Sequence, residues 1–174
     1  VYVREQCPPI EEEALSWMLL TNINVNNFEE AVEKIDWYCL RWRIEIFHKI
    51  LKSGLKVEAC RLGTGDRLSR FLTVASVIAW RIFYITLIAR EDPNLPCDTL
   101  LAEQEWKVLY SKINRTKDYP TKPPTIREAV RWIAQLGGFL GRKGDGEPGT
   151  ITLWKGWKRL VDLAEGWNLA LAYT

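Results

Sequence analysis

The chain has 174 residues, 47% hydrophobic and 26% charged. That excludes a disordered polymer and leaves room for one substantial domain, or a domain with an appendage. Its net charge of +2 is too small to imply nucleic acid by itself, so any basic surface must come from local clustering.

The first residues, "VYVREQCPPIEEE", are polar and acidic and do not read as a signal peptide. The only Met, Met18, lies inside an apolar run where no domain would sensibly begin. The chain is therefore expected to be a piece of a longer polypeptide. Residues 1 to 8 alternate weakly and "ALSWMLLTNINV", residues 14 to 25, is apolar, so both read as short strands. Asn27 offers an N-cap with Glu30 three residues on, predicting a helix from near Phe28 to about Lys52, stopped by Ser53-Gly54.

A second helix is predicted from Asp66, as N-cap, to about Arg90. Phe71 to Ala89 is apolar nearly all round, but Arg81 at its middle would cost roughly 2.5–3.5 kcal/mol in a bilayer. A helix buried in a helical domain is the preferred reading over a membrane span. Pro93 and Pro96 close that region, and a short helix is expected at 98 to 110. The connector "SKINRTKDYPTKPPTIR" carries Lys112, Arg115, Lys117, Lys122 and Arg127, a solvated loop with phosphate contact as the alternative.

Helices at 125 to 137 and 154 to 171 flank "GGFLGRKGDGEPG", whose glycines mark an exposed loop. "GRKGDG" lacks the GxxxxGK[ST] spacing of a phosphate-cradling loop. Cys7, Cys39, Cys60 and Cys97 form no CxxC pair and are joined by one His, His48, so buried free thiols in a reducing cytoplasm are preferred to a zinc site. Nine Trp supply large aromatic surfaces, in a core or as stacking platforms. Those of the final helix, Trp154, Trp157 and Trp167, suit a core or a partner contact equally.

The segment "WYCLRWRIEIFHKILKSG", residues 37 to 54, is two-sided when wound at about 100° per residue. Trp37, Leu40, Ile44, Phe47 and Leu51 form one stripe, expected to face a core. Tyr38, Arg41, Glu45, Lys49 and Lys52 cluster opposite, over about 21 Å of axis at 1.5 Å per residue. As a surface this is an ionic ladder, with Arg41–Glu45 and Glu45–Lys49 both spaced i,i+4. As a site, it sets one carboxylate among cations and a Tyr over a length matching several phosphates, the residue types that phosphodiester chemistry uses.

Tyr38-x2-Arg41-x3-Glu45-x6-Lys52 resembles the Y-R-E-K signature of bacterial insertion-sequence DDE transposases, the group that includes the transposase of transposon five. "LRWRIEIFHKILKSG" is similar to that group beyond the four positions, as are "SWMLLT" (16 to 21), "LGGF" (136 to 139) and "LWKGWKRL" (153 to 160). The resemblance implies that Glu45 is the catalytic third acid of a metal-binding DDE triad on a ribonuclease-H-like fold. Two Asp on strands expected upstream of Val1 would complete the triad and hold two divalent metal ions, Mg or Mn, for hydrolysis and strand transfer at phosphodiesters. Tyr38, Arg41, Lys49 and Lys52 would hold phosphates of the transposon-end DNA. Trp17 would stack a flipped base, although a core residue of a strand is its plainer reading.

One carboxylate does not hold two Mg²⁺ with near-octahedral oxygen shells, so by itself this chain is expected to be inactive and to bind no metal stably. The expected fold is mainly α with a small β element: the end of a ribonuclease-H-like catalytic domain over 1–60, then a helical dimerisation domain over 61–174. The expected function is that of a C-terminal fragment of a cut-and-paste DNA transposase in the bacterial cytoplasm, associated with the nucleoid. The alternatives are a non-catalytic remnant that dimerises with and inhibits full-length transposase, and a plain helical scaffold in which Glu45 is only an ion-pair partner.

Overall fold

A computed structural model describes residues 1–173. The chain divides into two compact units, Val1–Glu45 and Ile46–Thr174. It is mainly helical with one small sheet.

In the first unit β1 (Tyr2–Arg4) pairs antiparallel with β2 (Ser16–Met18), setting Val3 opposite Trp17. The strand expected over 14 to 25 thus shrinks to three residues. Beyond it Ile23 N–H turns back onto Thr21 Oγ1 at 3.0 Å, a local bond that competes with strand pairing. Helix α1 (Phe28–Lys49) starts where Asn27 predicted. Asn27 Oδ1 accepts from Glu30 N–H at 2.8 Å, while the Glu30 carboxylate accepts from Asn26 N–H at 2.7 Å. The first bond satisfies a donor that the helix start leaves orphaned, and the second ties the residue before the cap to the first turn.

None of the described residues in this unit is buried. The stripe expected to face a core is corrected accordingly: Trp37, Leu40 and Ile44 are about half exposed. Helical spacing identifies an apolar face; it does not say what covers it.

The second unit opens on the last residues of α1 and the turn that follows, where Ile46, Phe47 and Leu51 are partly buried against a core that includes Ile50. The α-helix ends at Lys49 rather than Lys52. It widens into a π turn, Ile50–Gly54, with Leu55 N–H reaching Ile50 O at 2.9 Å. Helix α2 (Gly65–Glu91) begins at Thr64, whose Oγ1 accepts from Arg67 N–H at 3.4 Å. Asp66, expected as the cap, lies inside the helix.

Helix α2 is long and apolar enough to cross a membrane by length and composition. In the structure one face, with Ala75, Ala79, Ile82, Phe83, Ile85 and Thr86, packs into the unit's core. The opposite face, with Val77, Trp80 and Tyr84, is exposed. The expectation of a buried helix therefore holds for one face only. The Thr86 hydroxyl donates to Ile82 O at 2.7 Å and so enters the core satisfied.

Helix α3 (Glu103–Asn114) starts later than expected. A 3-10 turn at Cys97–Thr99 takes the chain past Asp98, and the Glu105 carboxylate accepts Ala102 N–H at 2.8 Å to begin the helix proper. Helix α4 (Ile126–Leu136) carries a reciprocal cap: Thr125 Oγ1 accepts Glu128 N–H at 3.3 Å, and the Glu128 carboxylate accepts Thr125 N–H at 2.8 Å. Helix α5 (Thr150–Ala172) closes the unit.

Helices α4 and α5 meet backbone to backbone. A Cβ on Gly156 would stand 1.7 Å from Ile133 O, and one on Gly137 would stand 2.0 Å from Thr152 O. Gly137, expected in an exposed loop, is instead a packing residue that lets two helices touch. Leu109, Ile133, Leu153 and Leu160 fill the centre of this unit.

Of the four thiols only Cys97 is buried; Cys7 and Cys39 are exposed and Cys60 is intermediate. The expectation of buried thiols is corrected at those three positions. Burial first, and the neighbouring Asp98 carboxylate second, push the Cys97 thiol from 9.0 up to about 12.

Candidate functional site

In the first unit, four of the residues singled out by sequence form a contact chain. The ring of Trp17, on β2, meets that of Tyr38, on α1, edge to face at 5.7 Å between centroids, a favoured aromatic geometry. The Arg41 guanidinium lies over the Tyr38 ring at 5.6 Å and over Trp42 at 5.5 Å. Arg41 Nη1 then donates to Glu45 Oε1 at 2.9 Å.

Helix geometry accounts for this order. Residues 38, 41 and 45 are three and four positions apart and share one face. The β1–β2 pairing places Trp17 opposite Val3 and fixes its strand position. Trp17 is exposed enough that the plainer reading, a buried strand residue, does not describe it. All four side chains remain accessible: Arg41 and Glu45 each keep 46% of their side-chain surface. An ion pair this exposed adds at most about 1 kcal/mol to stability. The arrangement presents one carboxylate, one guanidinium and two aromatic faces to solvent.

In the second unit, Lys49 ends α1 and Lys52 lies in the π turn. The projection of about 100° per residue that placed Lys52 on the polar stripe does not hold across that turn. Lys52 Nζ pairs with Glu58 Oε1 at 3.0 Å, with both side chains mostly exposed. Sequence spacing did not foresee Glu58 as its partner, which a 3-10 turn at Val57–Ala59 presents.

The metal ions that the sequence resemblance implies need more donors than these residues bring together. Among the described residues no three His, Cys, Asp or Glu side chains gather as a metal-holding group. Glu45 offers one carboxylate, already hydrogen-bonded to Arg41. Two divalent ions with six oxygen ligands each do not fit a single carboxylate, so no chemical step follows from these residues alone.

Arg81, which in the sequence is only a charge opposing membrane insertion, has two partners in the fold. It pairs with Glu105 of α3 at 3.2 Å and lies over the Trp157 ring of α5 at 4.5 Å. A lone Arg within an apolar run was the available signal for them.

Residues 77–174, more than half of the chain, match the family model described as the transposase Tn5 dimerisation domain.

Proposed function

This chain belongs to the family of the Tn5 transposase dimerisation domain, and from that premise we propose that it is the C-terminal part of a DDE cut-and-paste transposase. The match supports homodimer formation through the helical second unit. In this reading the first unit presents the end of the catalytic surface.

Glu45 serves as one of the three metal-holding acids, with two Asp supplied by other residues of the enzyme and two Mg or Mn ions held among them. Arg41, Lys49 and Lys52 neutralise phosphates of transposon-end DNA, Tyr38 donates its hydroxyl there, and Trp17 offers a face on which an unpaired base stacks. The observation that carries the site is the contact chain Trp17–Tyr38–Arg41–Glu45, in which a positioned guanidinium and an open aromatic face adjoin the signature carboxylate. The protein acts in the bacterial cytoplasm, at the nucleoid.

A second reading is favoured by the position of the match. It lies wholly within the second unit, which has a hydrophobic core of its own. A chain of this kind dimerises with full-length transposase and lowers its activity without cutting DNA.

DNA binding tests the site. Fluorescence anisotropy of a labelled duplex is measured from 50 to 200 mM salt, with wild type and with Arg41→Ala/Lys49→Ala/Lys52→Ala. The slope of log K against log salt is expected to fall in magnitude by about 0.9 for each phosphate that the variant no longer neutralises. An unchanged isotherm and slope in the triple variant would remove the DNA role from these residues.

A further inference from the structure

The chain between α3 and α4, residues 115 to 125, is held by its own contacts. Tyr119 meets Trp106 edge to face at 6.1 Å, and Ser111 Oγ donates to the Tyr119 hydroxyl at 3.3 Å. Asp118 N–H donates to Thr116 Oγ1 at 3.1 Å, closing a local turn. At the far end Cys97 N–H donates to Pro124 O at 2.8 Å, and Ile126 N–H to Leu95 O at 2.8 Å. Pro120, Pro123 and Pro124 each fix one backbone angle. The segment is a built surface rather than a slack linker.

That surface is basic. Lys112, Arg115, Lys117 and Lys122 are all exposed, and Asp118 is the one carboxylate within residues 111 to 122. None of the four cations is in an ion pair among the described residues. The cations on either side differ: Lys107 is paired with Glu103, and Arg127 with Glu147 at 3.2 Å. Lys112 and Arg115 are three positions apart, so they share a face at the end of α3. Arg115 takes the left-handed backbone, φ 54° and ψ 39°, where Gly or Asn usually ends a helix. A charged residue thus occupies a corner that glycine would hold with less strain.

We propose that this connector is a DNA-binding surface in its own right, on which Lys112, Arg115, Lys117 and Lys122 neutralise backbone phosphates of duplex DNA without reading its sequence. It shares no residue with the Trp17–Tyr38–Arg41–Glu45 chain, so either surface can fail without the other. Charge complementarity carries the inference. Duplex DNA presents one negative charge per about 1.7 Å, and unpaired cations on a loop already held in place displace its counterions with little further ordering. Membership of a transposase family selects DNA among polyanions. The ring of Tyr119 is engaged by Trp106 and Tyr110 instead of standing free for base stacking. The surface therefore suits a duplex backbone rather than a single strand.

Fluorescence anisotropy of the full chain with a labelled duplex of random sequence tests the proposal, from 50 to 200 mM salt. The connector variant is Lys112→Gln/Arg115→Asn/Lys117→Gln/Lys122→Gln, in which Asn keeps a residue suited to the left-handed corner. The control removes the same charge elsewhere in the unit: Arg90→Gln/Arg142→Gln/Lys143→Gln/Lys155→Gln. Circular dichroism confirms folding of each, and if the fourfold connector variant fails to fold, Lys117→Gln/Lys122→Gln decides. The connector variant should raise Kd at least about tenfold at 100 mM salt and reduce the magnitude of the log K–log salt slope by about 0.9 per phosphate lost. The control should change Kd by less than about threefold, because unpatterned charge acts only through the screened field. Asp118→Asn should tighten binding about twofold by removing the one opposing charge. The connector's effect on the slope should recur in the Arg41→Ala/Lys49→Ala/Lys52→Ala background, whether or not that triple variant itself alters binding. A wild type that binds no duplex at 50 mM salt, or a connector variant with the wild-type isotherm and slope, overturns the proposal. So does a control that loses as much as the connector variant. With duplex binding unmoved, loss of binding to phosphatidylserine vesicles in the connector variant would assign the surface to acidic membrane instead.

Discussion

The two units differ in what their side chains do. Residues 46 to 173 include every buried residue among those described, with Leu109, Leu160 and Ala134 wholly enclosed. Residues 1 to 45 bury none, yet they hold the Trp17–Tyr38–Arg41–Glu45 chain. One unit is stabilised by apolar burial, worth about 25 cal/mol per Å². The other is held by a three-residue ladder, a helix cap and exposed aromatic contacts. Stability and candidate chemistry therefore sit in different parts of the chain, and mutations can separate them.

The largest separation should come from Leu160→Ala. Removing a fully enclosed Leu costs roughly 2–5 kcal/mol, read as a lower midpoint in urea with dimerisation abolished alongside. A loss below about 1 kcal/mol would break the contrast, because the second unit would not owe its stability to this core.

Gly156→Ala follows. The added methyl meets the Ile133 carbonyl, a backbone atom that side-chain motion does not clear. Overpacking of about 1–3 kcal/mol is expected in the same denaturation experiment. Gly166, where a Cβ meets nothing within 4 Å, is the control: Gly166→Ala should be neutral or stabilising by up to about 1 kcal/mol through helix propensity.

Helix caps sharpen the comparison. Thr125→Ala removes the cap of α4 inside the packed unit and should lower the global midpoint by about 1 kcal/mol. Asn27→Ala removes an equivalent cap from α1. Helicity should fall there, measured as faster amide exchange near residues 28 to 31, while the global midpoint stays in place. Smaller still is Trp37→Ala, expected within about 0.5 kcal/mol because the side chain is half exposed.

The thiols extend the contrast to pH. Cys7 and Cys39 should react with a disulfide reagent at pH 8 in the native protein, and Cys97 only after unfolding. The folded Cys97 thiol keeps its proton up to about 12, whereas the ordinary value is 9.0. The native state thus binds the proton more tightly. The stability linked to this group is complete below about pH 9 and is lost as pH climbs toward 12. Cys97→Ala should flatten that alkaline decline relative to wild type.

Much of this could be read from residues. Asn27 with Glu30 announced α1, and the apolar run around Arg81 announced a long helix, because caps and periodicity are local signals. The π turn at Ile50–Gly54 was not legible, since Ser53-Gly54 signals a stop without saying how the turn before it is wound. Asp66 was legible as a capping residue type, but the chain caps α2 two residues earlier, at Thr64. The stripe Trp37–Leu40–Ile44 was legible as a face but not as an exposed one: periodicity records which residues are apolar, not what packs on them. The contact row Tyr38–Arg41–Glu45 was legible through its helical spacing. The Glu58 partner of Lys52 depends on a 3-10 turn, and the contact of Arg81 with Trp157 on bringing α2 to α5; spacing encodes neither.

The most direct test of the dimerising second unit is the mass of the wild-type chain in solution. Sedimentation equilibrium over a hundredfold range of concentration should show reversible self-association, reaching twice the 20.2 kDa chain mass at the upper end. A mass of 20.2 kDa at every concentration would contradict the assignment of that unit as a dimerising domain.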